Sequence, residues 1–311
     1  MSAKELVDRY AAGETDFPGA NLRNANLNGV ELMGINLSGA NLKAAKLVLT
    51  YLSRVRFDNA NLSNTKLSGA NLNQCDLRNA NLTDADLHGA TLQGADLRKA
   101  KLQFAKLLDA NLTDADLRQT DMSNACLRGA CLQGANLRYE ARMYEPVSLR
   151  GADLRGADLR HLNLVCADLS RADLRGTSLQ QVNFRKANLS EAKLHGADLR
   201  GAVMTEANLT DAEAIRTNFA GAIVASAKLA RANLHGAYFK LANLSRSDLT
   251  QADLSKADLT QANLLEAFLA KVNFKGATLI ETNFYNAELG LANLKGANLE
   301  GATMPNGEVH E

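Results

Sequence analysis

The side chains that could do catalytic or metal chemistry are few and scattered in this 311-residue chain. They are five histidines and four cysteines: His88, His161, His195, His235, His310, Cys75, Cys126, Cys131 and Cys166. The cysteines include no CxxC pair of the kind that binds zinc, and their scatter does not suggest a disulfide framework. No Ser or Cys stands beside a His and a carboxylate in a recognisable triad signature, and no glycine-rich phosphate loop occurs. The sequence therefore predicts no enzyme activity, no metal ion and no cofactor.

The composition and net charge of the chain indicate which classes of partner and which cellular compartment to expect. The chain has 35 Lys and Arg residues against 34 Asp and Glu residues, a formal net charge of +1. A protein that binds nucleic acid through charge would be far more basic, so no nucleic-acid partner is predicted. Lys4, Glu5, Asp8 and Arg9 interrupt the N-terminus, and no run of about 18 apolar residues occurs, which argues against a secretory signal and a membrane span. We therefore expect a cytoplasmic protein with no membrane contact.

A five-residue repeat organises nearly all of the chain. Its central residues follow one another in steps of five from Phe17 to Leu137, which makes 25 repeats, and from Leu149 to Met304, which makes 32. Of these 57 central positions 45 are Leu, and Ala occupies 41 of the positions two residues earlier. No charged residue stands at either position in any repeat. Because an unpaired buried charge is very costly, both positions are predicted to face inward and the other three to face solvent.

The repeats resemble the A(D/N)LXX signature of the pentapeptide repeat family, as residues 152–156 (ADLRG) illustrate. The resemblance extends over roughly residues 15 to 304 and implies an all-β fold, a right-handed quadrilateral β-helix with four repeats in each coil and about 14 coils. The sequence agrees with four repeats per coil, because outward residues recur every 20 positions, as Arg78, Arg98 and Arg118 do. The predicted inward ladder includes Leu97, Leu117, Leu154, Leu174, Phe219 and Phe239.

The repeats also define the segments of the chain. Residues 1–14 are predicted to form a helical cap over the first coil, because Ser2-Ala3-Lys4-Glu5 fits a capping box and Gly13 stands where a helix ends. The remaining segments are a first array at 15–139, an interruption at 140–146, a second array at 147–304 and a C-terminal tail at 305–311.

The interruption at residues 140–146 has two interpretations. It is either a seven-residue loop that projects from one corner, or one further repeat, Ala141–Glu145, with a single-residue bulge on each side. Ala141 stands two residues before Met143, which slightly favours the further repeat. In both cases the 20-residue columns shift at this point.

Two places are candidates for a protein contact. The interruption holds Arg142 and Tyr144, residue types that are enriched at binding hot spots. After Met304 the tail is too short and too polar for a helical cap, so an uncapped end is predicted, with Phe268 and Tyr285 as outward apolar residues near it. The resemblance adds that several family members dimerise through this end, although they carry a helix there that this sequence lacks. We therefore predict a protein partner, with a homodimer through the C-terminal coils as one form of it.

The predicted function is that of a non-enzymatic bacterial scaffold whose flat β-helix faces bind a protein partner. The resemblance implies an alternative, because some pentapeptide repeat proteins imitate DNA in shape and charge, bind DNA gyrase and protect it from quinolones. A column of Asp76, Asp96 and Asp116 would suit such a mimic. However, each of these carboxylates has an Arg two residues further along, so the face is predicted to neutralise itself. The gyrase modulator is therefore the second of the two hypotheses.

Overall fold

The computed structural model describes residues 1–139 and 145–311, which divide into two compact units, Met1–Asp158 and Leu159–Glu311. The N-terminal unit begins with α1 (Ala3–Ala11), the one helix among the described residues. The remaining regular structure in the described part of the chain consists of isolated β-bridges. The β-bridges, and not extended strands, therefore define the architecture.

The bridges follow the five-residue repeat in both units. Each repeat contributes one bridging residue, which pairs in parallel with the residue 20 positions later, as Asn21 pairs with Asn41. Twenty residues are four repeats, so one coil has four sides, and the predicted right-handed quadrilateral β-helix is confirmed. The parallel bridges run from Asp16–Asn36 to Cys131–Asp158 in the N-terminal unit and from Asn163–Asn183 to Asn283–Thr303 in the C-terminal unit.

The helix α1 is tied to the first coil, as the sequence predicts. The Ser2 hydroxyl accepts the N–H of Glu5 at 3.1 Å, and the Glu5 carboxylate accepts the N–H of Ser2 at 3.3 Å, so the capping box is confirmed. Leu6 is fully buried, and the Tyr10 hydroxyl donates to the carbonyl oxygen of Met33 at 2.9 Å. These contacts hold α1 on the first coil, whose central residues are buried.

Backbone and side-chain hydrogen bonds explain why five residues are enough to make one side and one corner. The N–H of Leu22 donates to the carbonyl oxygen of Asn41 at 2.8 Å, and the N–H of Asn41 donates to Ala20 at 2.9 Å, so adjacent coils are joined in both directions. The side-chain oxygen of Asn41 also accepts the N–H of Lys43 at 3.2 Å. Such a bond from an Asx side chain to the backbone two residues on stabilises a turn, which is why the signature asks for Asp or Asn there.

The inward positions form buried ladders of apolar side chains in both units. The six ladder residues named from the sequence all have an exposed fraction of 0%: Leu97, Leu117, Leu154, Leu174, Phe219 and Phe239. At six inward positions a buried Thr or Ser replaces Ala and its hydroxyl donates to a backbone carbonyl oxygen, as Thr217 does to Leu194 at 2.6 Å. In the part of the chain that the structure describes, no buried side-chain nitrogen or oxygen lacks a hydrogen-bond partner. The small polar residues of the core are therefore compatible with its burial.

The last residue of nearly every repeat turns a corner with a positive φ. Glycine suits this left-handed region, but many corners carry other residues, including Phe104 (φ 59°) and Leu241 (φ 60°). Both of these side chains are largely exposed, so they gain little from burial. Because the left-handed region costs an ordinary residue about 1–2 kcal/mol, these corners are places of local strain.

Replacing Leu241 by Gly should raise the free energy of unfolding by about 0.5–1 kcal/mol, because relief of the corner outweighs the flexibility that Gly adds to the unfolded chain. Lys240 precedes it in the same turn and has no positive φ. Lys240→Gly should therefore lower the free energy of unfolding by roughly 0.5–1 kcal/mol. Urea denaturation of both variants and the wild type measures the difference, and equal destabilisation by the two would show that the corner is not strained.

The interruption lengthens one coil of the N-terminal unit. Asp121 bridges to Ser148, 27 residues later instead of 20, and the next two bridges keep this spacing. The repeat centred on Leu149 therefore continues the side on which Met122 lies, and the predicted shift of the columns amounts to seven residues. The two interpretations of the interruption, as a loop or as a further repeat, concern residues that lie outside the described ones.

The C-terminal tail differs from the prediction of an uncapped end. Thr303 forms an antiparallel bridge with Val309, and the N–H of His310 donates to the carbonyl oxygen of Ala302 at 2.8 Å. The chain reverses through a turn that includes Gly307 (φ 88°). Seven residues are too few for a helical cap, but an antiparallel turn needs only a few residues to satisfy one edge of the last coil.

Candidate functional site

The four residues proposed from the sequence as contact residues fall in different places. Arg142 and Tyr144 lie outside the described residues. Phe268 is a bridging residue with an exposed fraction of 46%, and it pairs with the bridging residues one coil before and one coil after it. Tyr285 lies on the preceding side of the next coil, is exposed to a similar degree, and its ring lies close to Gly307 of the tail. Phe268 and Tyr285 thus flank one corner near the C-terminus and belong to different sides.

The last full coil exposes residues that the repeat assigns to the core. Leu289, Leu294 and Leu299 occupy central positions but are only half-buried, whereas Leu22 and Leu27 of the first coil are buried beside α1. The three leucines also have backbone N–H groups that donate to no acceptor among the described residues. Both facts have one cause, because no described residue pairs with the far edge of the coil on these three sides. We call Leu289, Leu294 and Leu299 the open end.

On one side of the N-terminal unit, the two residues that flank the inward central residue are both charged through four coils. This charged face comprises every twentieth residue from Arg56 to Asp116 and from Asp58 to Arg118. Arg78 donates to Asp76 at 2.5 Å, and its Nε lies 3.7 Å from a carboxylate oxygen of Asp96 in the next coil. The carboxylates are therefore neutralised by arginines of the same face, as the sequence predicts.

The same pairing occurs in the C-terminal unit and changes the acidity of its carboxylates. Arg200 donates to Asp198 through Nη2 at 2.7 Å, and Gln180 donates to the same carboxylate at 2.6 Å. The hydrogen bonds from Arg200 lower the pKa of Asp198 to about 2. The pair is therefore fully charged at neutral pH and adds no net charge to its face.

On the side of the N-terminal unit next to the charged face, the two residues that flank the central residue carry no charge over five coils. This amide face comprises every twentieth residue from Tyr51 to Cys131 and from Ser53 to Gln133, most of them Asn, Gln, Ser or Thr. A groove of about 790 Å³ runs along the edge of the amide face. Most of the side chains that line the groove are polar, and they are accessible to a ligand because the groove is open to solvent.

The thiols and histidines do not assemble into a metal site within the part of the chain that the structure describes. Cys75 occupies an inward position, where its thiol donates to the carbonyl oxygen of Leu52 at 2.8 Å. Burial raises the pKa of the Cys75 thiol to about 12, so it stays protonated and unreactive at neutral pH. His195 lies 2.9 Å from a carboxylate oxygen of Glu213, and His235 lies 2.8 Å from the Ser255 hydroxyl. Among the described residues, no helix has the length and apolar character needed to cross a bilayer.

The five-residue repeats match the model of a known protein family. The model for pentapeptide repeats matches residues 12–138, 147–224, 227–264 and 267–306, in eight copies. The chain belongs to the pentapeptide repeat family. No curated protein matches this pentapeptide repeat protein in sequence.

Solved structures of other pentapeptide repeat proteins are similar to it. HetL, a protein involved in the regulation of heterocyst differentiation in the cyanobacterium Nostoc sp. strain PCC 7120, is 30% identical over 100% of both chains, with a TM-score of 0.32. A trypsin-treated variant of QnrB1, a plasmid-mediated fluoroquinolone resistance protein, is 20% identical over 69% of this chain and 84% of its own, with a TM-score of 0.40. A pentapeptide repeat protein of the Arabidopsis thaliana thylakoid lumen is 29% identical over 36% of this chain and 71% of its own, with a TM-score of 0.22.

Two features of this pentapeptide repeat protein differ from what its sequence predicts. The repeat pattern predicts Leu289, Leu294 and Leu299 in the core, because their local sequence is that of any buried repeat. The signal that distinguishes them is their position in the last full coil. The groove at the amide face is not predicted either, and its signal is a pair of columns with a 20-residue period and no charge.

Proposed function

We propose that this pentapeptide repeat protein is a non-enzymatic cytoplasmic scaffold that binds a protein partner, and that the open end forms the contact. The observation that supports this is the partial exposure of Leu289, Leu294 and Leu299, whose backbone N–H groups have no acceptor among the described residues. An exposed β edge with apolar side chains is a template for pairing, and native proteins usually cover such edges. A partner that continues the coil would bury the leucines and pair the N–H groups, while the flat sides of the protein would stay free for further binding.

The partner that fits this surface best is a second copy of the chain. The tail covers one side of the last coil through the Thr303–Val309 bridge, so three sides remain to be paired at once. The end of a second β-helix has the same four-sided outline and can therefore pair with all three sides. Two identical ends can face each other across a twofold axis. The proposal therefore takes a homodimer through the C-terminal coils as the contact.

Sedimentation velocity of the full-length protein at tens of micromolar tests this proposal. We expect a dimer for the wild type and a monomer for Leu294→Asp, because a carboxylate at the open end would have to be desolvated in the contact. Leu294 is half-buried and next to solvent, so the isolated chain should tolerate the substitution. Tyr238→Asp, a substitution of a side-facing residue with an exposed fraction of 49%, should remain dimeric and serves as the control.

The double variant Phe268→Asp, Tyr285→Asp distinguishes a contact made by the open end alone from a contact that also includes these two outward residues. If the open end alone makes the dimer, this variant weakens it less than Leu294→Asp does, because Phe268 and Tyr285 face outward from the sides. A wild type that sediments as a monomer at every concentration, or a dimer that Leu294→Asp leaves intact, would contradict the proposal.

The alternative function, modulation of DNA gyrase by DNA mimicry, has less support. A mimic needs a continuous negative face, but Asp76, Asp96 and Asp116 on the charged face are each bound by an Arg of the same repeat. Ion pairs of this kind leave little net potential at the surface. We therefore place the scaffold function first.

A further inference from the structure

The groove at the amide face is long, open and built by successive coils. One wall consists of Met33, Ser53, Asn73 and Gln93, which follow one another at intervals of 20 residues, and the corner adds Arg54 and Gln74. Coils are stacked about 4.8 Å apart, so these four coils present equivalent side chains along roughly 14 Å of the groove. Its volume of about 790 Å³ lies within the range of ligand sites.

The wall of the groove has unused hydrogen-bonding capacity. The Ser53 hydroxyl and the Gln93 side-chain amide bond to no residue that the structure describes. Asn73 uses only its side-chain oxygen, which accepts the N–H of Gln93 at 2.9 Å, and so retains two donors on its Nδ2. The coils of Ser53, Asn73 and Gln93 thus offer neutral groups that donate and accept hydrogen bonds. A sugar hydroxyl also donates and accepts hydrogen bonds, so it is a suitable partner for these groups.

The charge of the groove favours a neutral ligand. Among its lining residues only Arg54 and Asp114 are charged, and they carry opposite signs. The Nε of Arg54 already donates to the side-chain oxygen of Gln74 at 3.0 Å. A polyanion such as a nucleic acid, or a polycation, would find no excess of opposite charge here, and long-range attraction would not help it to bind.

One lining residue of the groove, Met33, is apolar, and a second exposed apolar residue, Tyr51, lies outside the lining in the repeat that contains Ser53. Met33 and Tyr51 lie in consecutive coils, and about half of each side chain is exposed (50% and 51%). An exposed aromatic ring beside amide groups provides a surface for the C–H face of a sugar ring next to partners for its hydroxyls.

We propose that this groove binds a neutral, linear β-linked oligosaccharide. The coil spacing of about 4.8 Å is similar to the length of one sugar in an extended β-linked chain, so consecutive sugars, which turn alternate faces to the wall, can lie beside Ser53, Asn73 and Gln93 in turn. The site lies entirely in the N-terminal unit and uses none of the residues of the open end. It goes beyond the proposed scaffold function, and either proposal can fail without the other.

Isothermal titration calorimetry of the full-length protein with cellohexaose and chitohexaose, which are neutral, and with a heparin hexasaccharide, which is anionic, tests the proposal. The blocking variant is Gly94→Asn. Gly94 lines the groove at φ 63°, and a Cβ there would lie 3.8 Å from Cγ of Gln74, so a side chain fits but occupies the groove. Asn tolerates a positive φ better than most residues, so the fold should be kept.

Gly89→Asn is the matched control, because Gly89 has φ 60° at the preceding corner of the same coil and no atom near its Cβ position. We expect at least one neutral hexasaccharide to bind the wild type with a millimolar or tighter Kd. Gly94→Asn and Gln93→Ala should each weaken this binding about fivefold or more, and Gly89→Asn should leave it unchanged.

Three results would overturn the proposal. These are the absence of heat from both neutral hexasaccharides at millimolar concentration, a preference for the heparin hexasaccharide, and equal binding by the wild type, Gly94→Asn and Gln93→Ala. Circular dichroism of each variant establishes that it is folded before it is titrated. The Gln93 side chain is exposed and bonds to no residue within the described part of the chain, so Gln93→Ala should fold and provides the test even if Gly94→Asn does not fold.

Discussion

Replacing Leu97 by Asp is expected to lower the free energy of unfolding by roughly 4–5 kcal/mol or more, which places it among the most destabilising substitutions. Leu97 is fully buried, and so are Leu77 and Leu117, which occupy the same position in the coils on either side. A carboxylate in this ladder would meet no donor, because the neighbouring backbone N–H groups already join the coils. Urea denaturation followed by circular dichroism measures the loss.

The next residue in the chain provides the control for Leu97→Asp. Arg98 faces outward, its side chain is 40% exposed, and it pairs with Asp96 at 2.5 Å. Because water screens such a pair, Arg98→Ala should cost less than about 1 kcal/mol. Similar losses for Leu97→Asp and Arg98→Ala would mean that the assignment of inward and outward positions is wrong.

Phe239→Ala should have the second largest effect, a loss of about 3–5 kcal/mol in the free energy of unfolding. The ring of Phe239 is fully buried and stacks on Phe219, with an angle of 1° between the ring planes and 4.6 Å between the centroids. Removal of one ring leaves a cavity that the coil cannot close, because both adjacent coils are fixed by backbone hydrogen bonds. The other ring then loses its stacking partner.

Tyr238 allows this prediction to be checked within the same repeat. Its side chain is 49% exposed, so Tyr238→Ala should cost well below 1 kcal/mol, on the order of other surface substitutions. The double variant Phe219→Ala, Phe239→Ala should lose about 0.5–1.5 kcal/mol less than the sum of the single variants, which measures the stack itself. A loss for Phe239→Ala no larger than that for Tyr238→Ala would contradict the buried stack.

The repeat predicts most of the fold because it acts locally and in the same way 57 times. An inward residue such as Leu97 is distinguished from Arg98 by the exclusion of charge from one position in every repeat. The capping box at Ser2 and Glu5 is equally local, since it depends on a spacing of three residues. Each of these expectations could therefore be formed before the structure was known.

The features that the sequence did not predict depend on what lies beyond the local repeat. Leu294 and Leu97 have the same kind of surroundings in sequence, but Leu294 is half-buried because it lies in the last full coil that the structure describes. The tail satisfies one edge through an antiparallel turn near Gly307, although its composition argues only against a helix. The groove beside Asn73 and Gln93 arises from the stacking of coils, and no single repeat contains it.

The parallel bridges between residues 20 positions apart also limit how such a chain can change its length in evolution. Insertion or deletion of one five-residue repeat would rotate every later repeat by one side, so that Phe219 and Phe239 could no longer stack if the change fell between them. Duplication of a whole coil would leave every column in register and add only one more layer. Viable variants that gain or lose whole repeats should therefore differ by multiples of four repeats. The 27-residue spacing from Asp121 to Ser148 obeys the same constraint, because the repeats after it resume on the same sides.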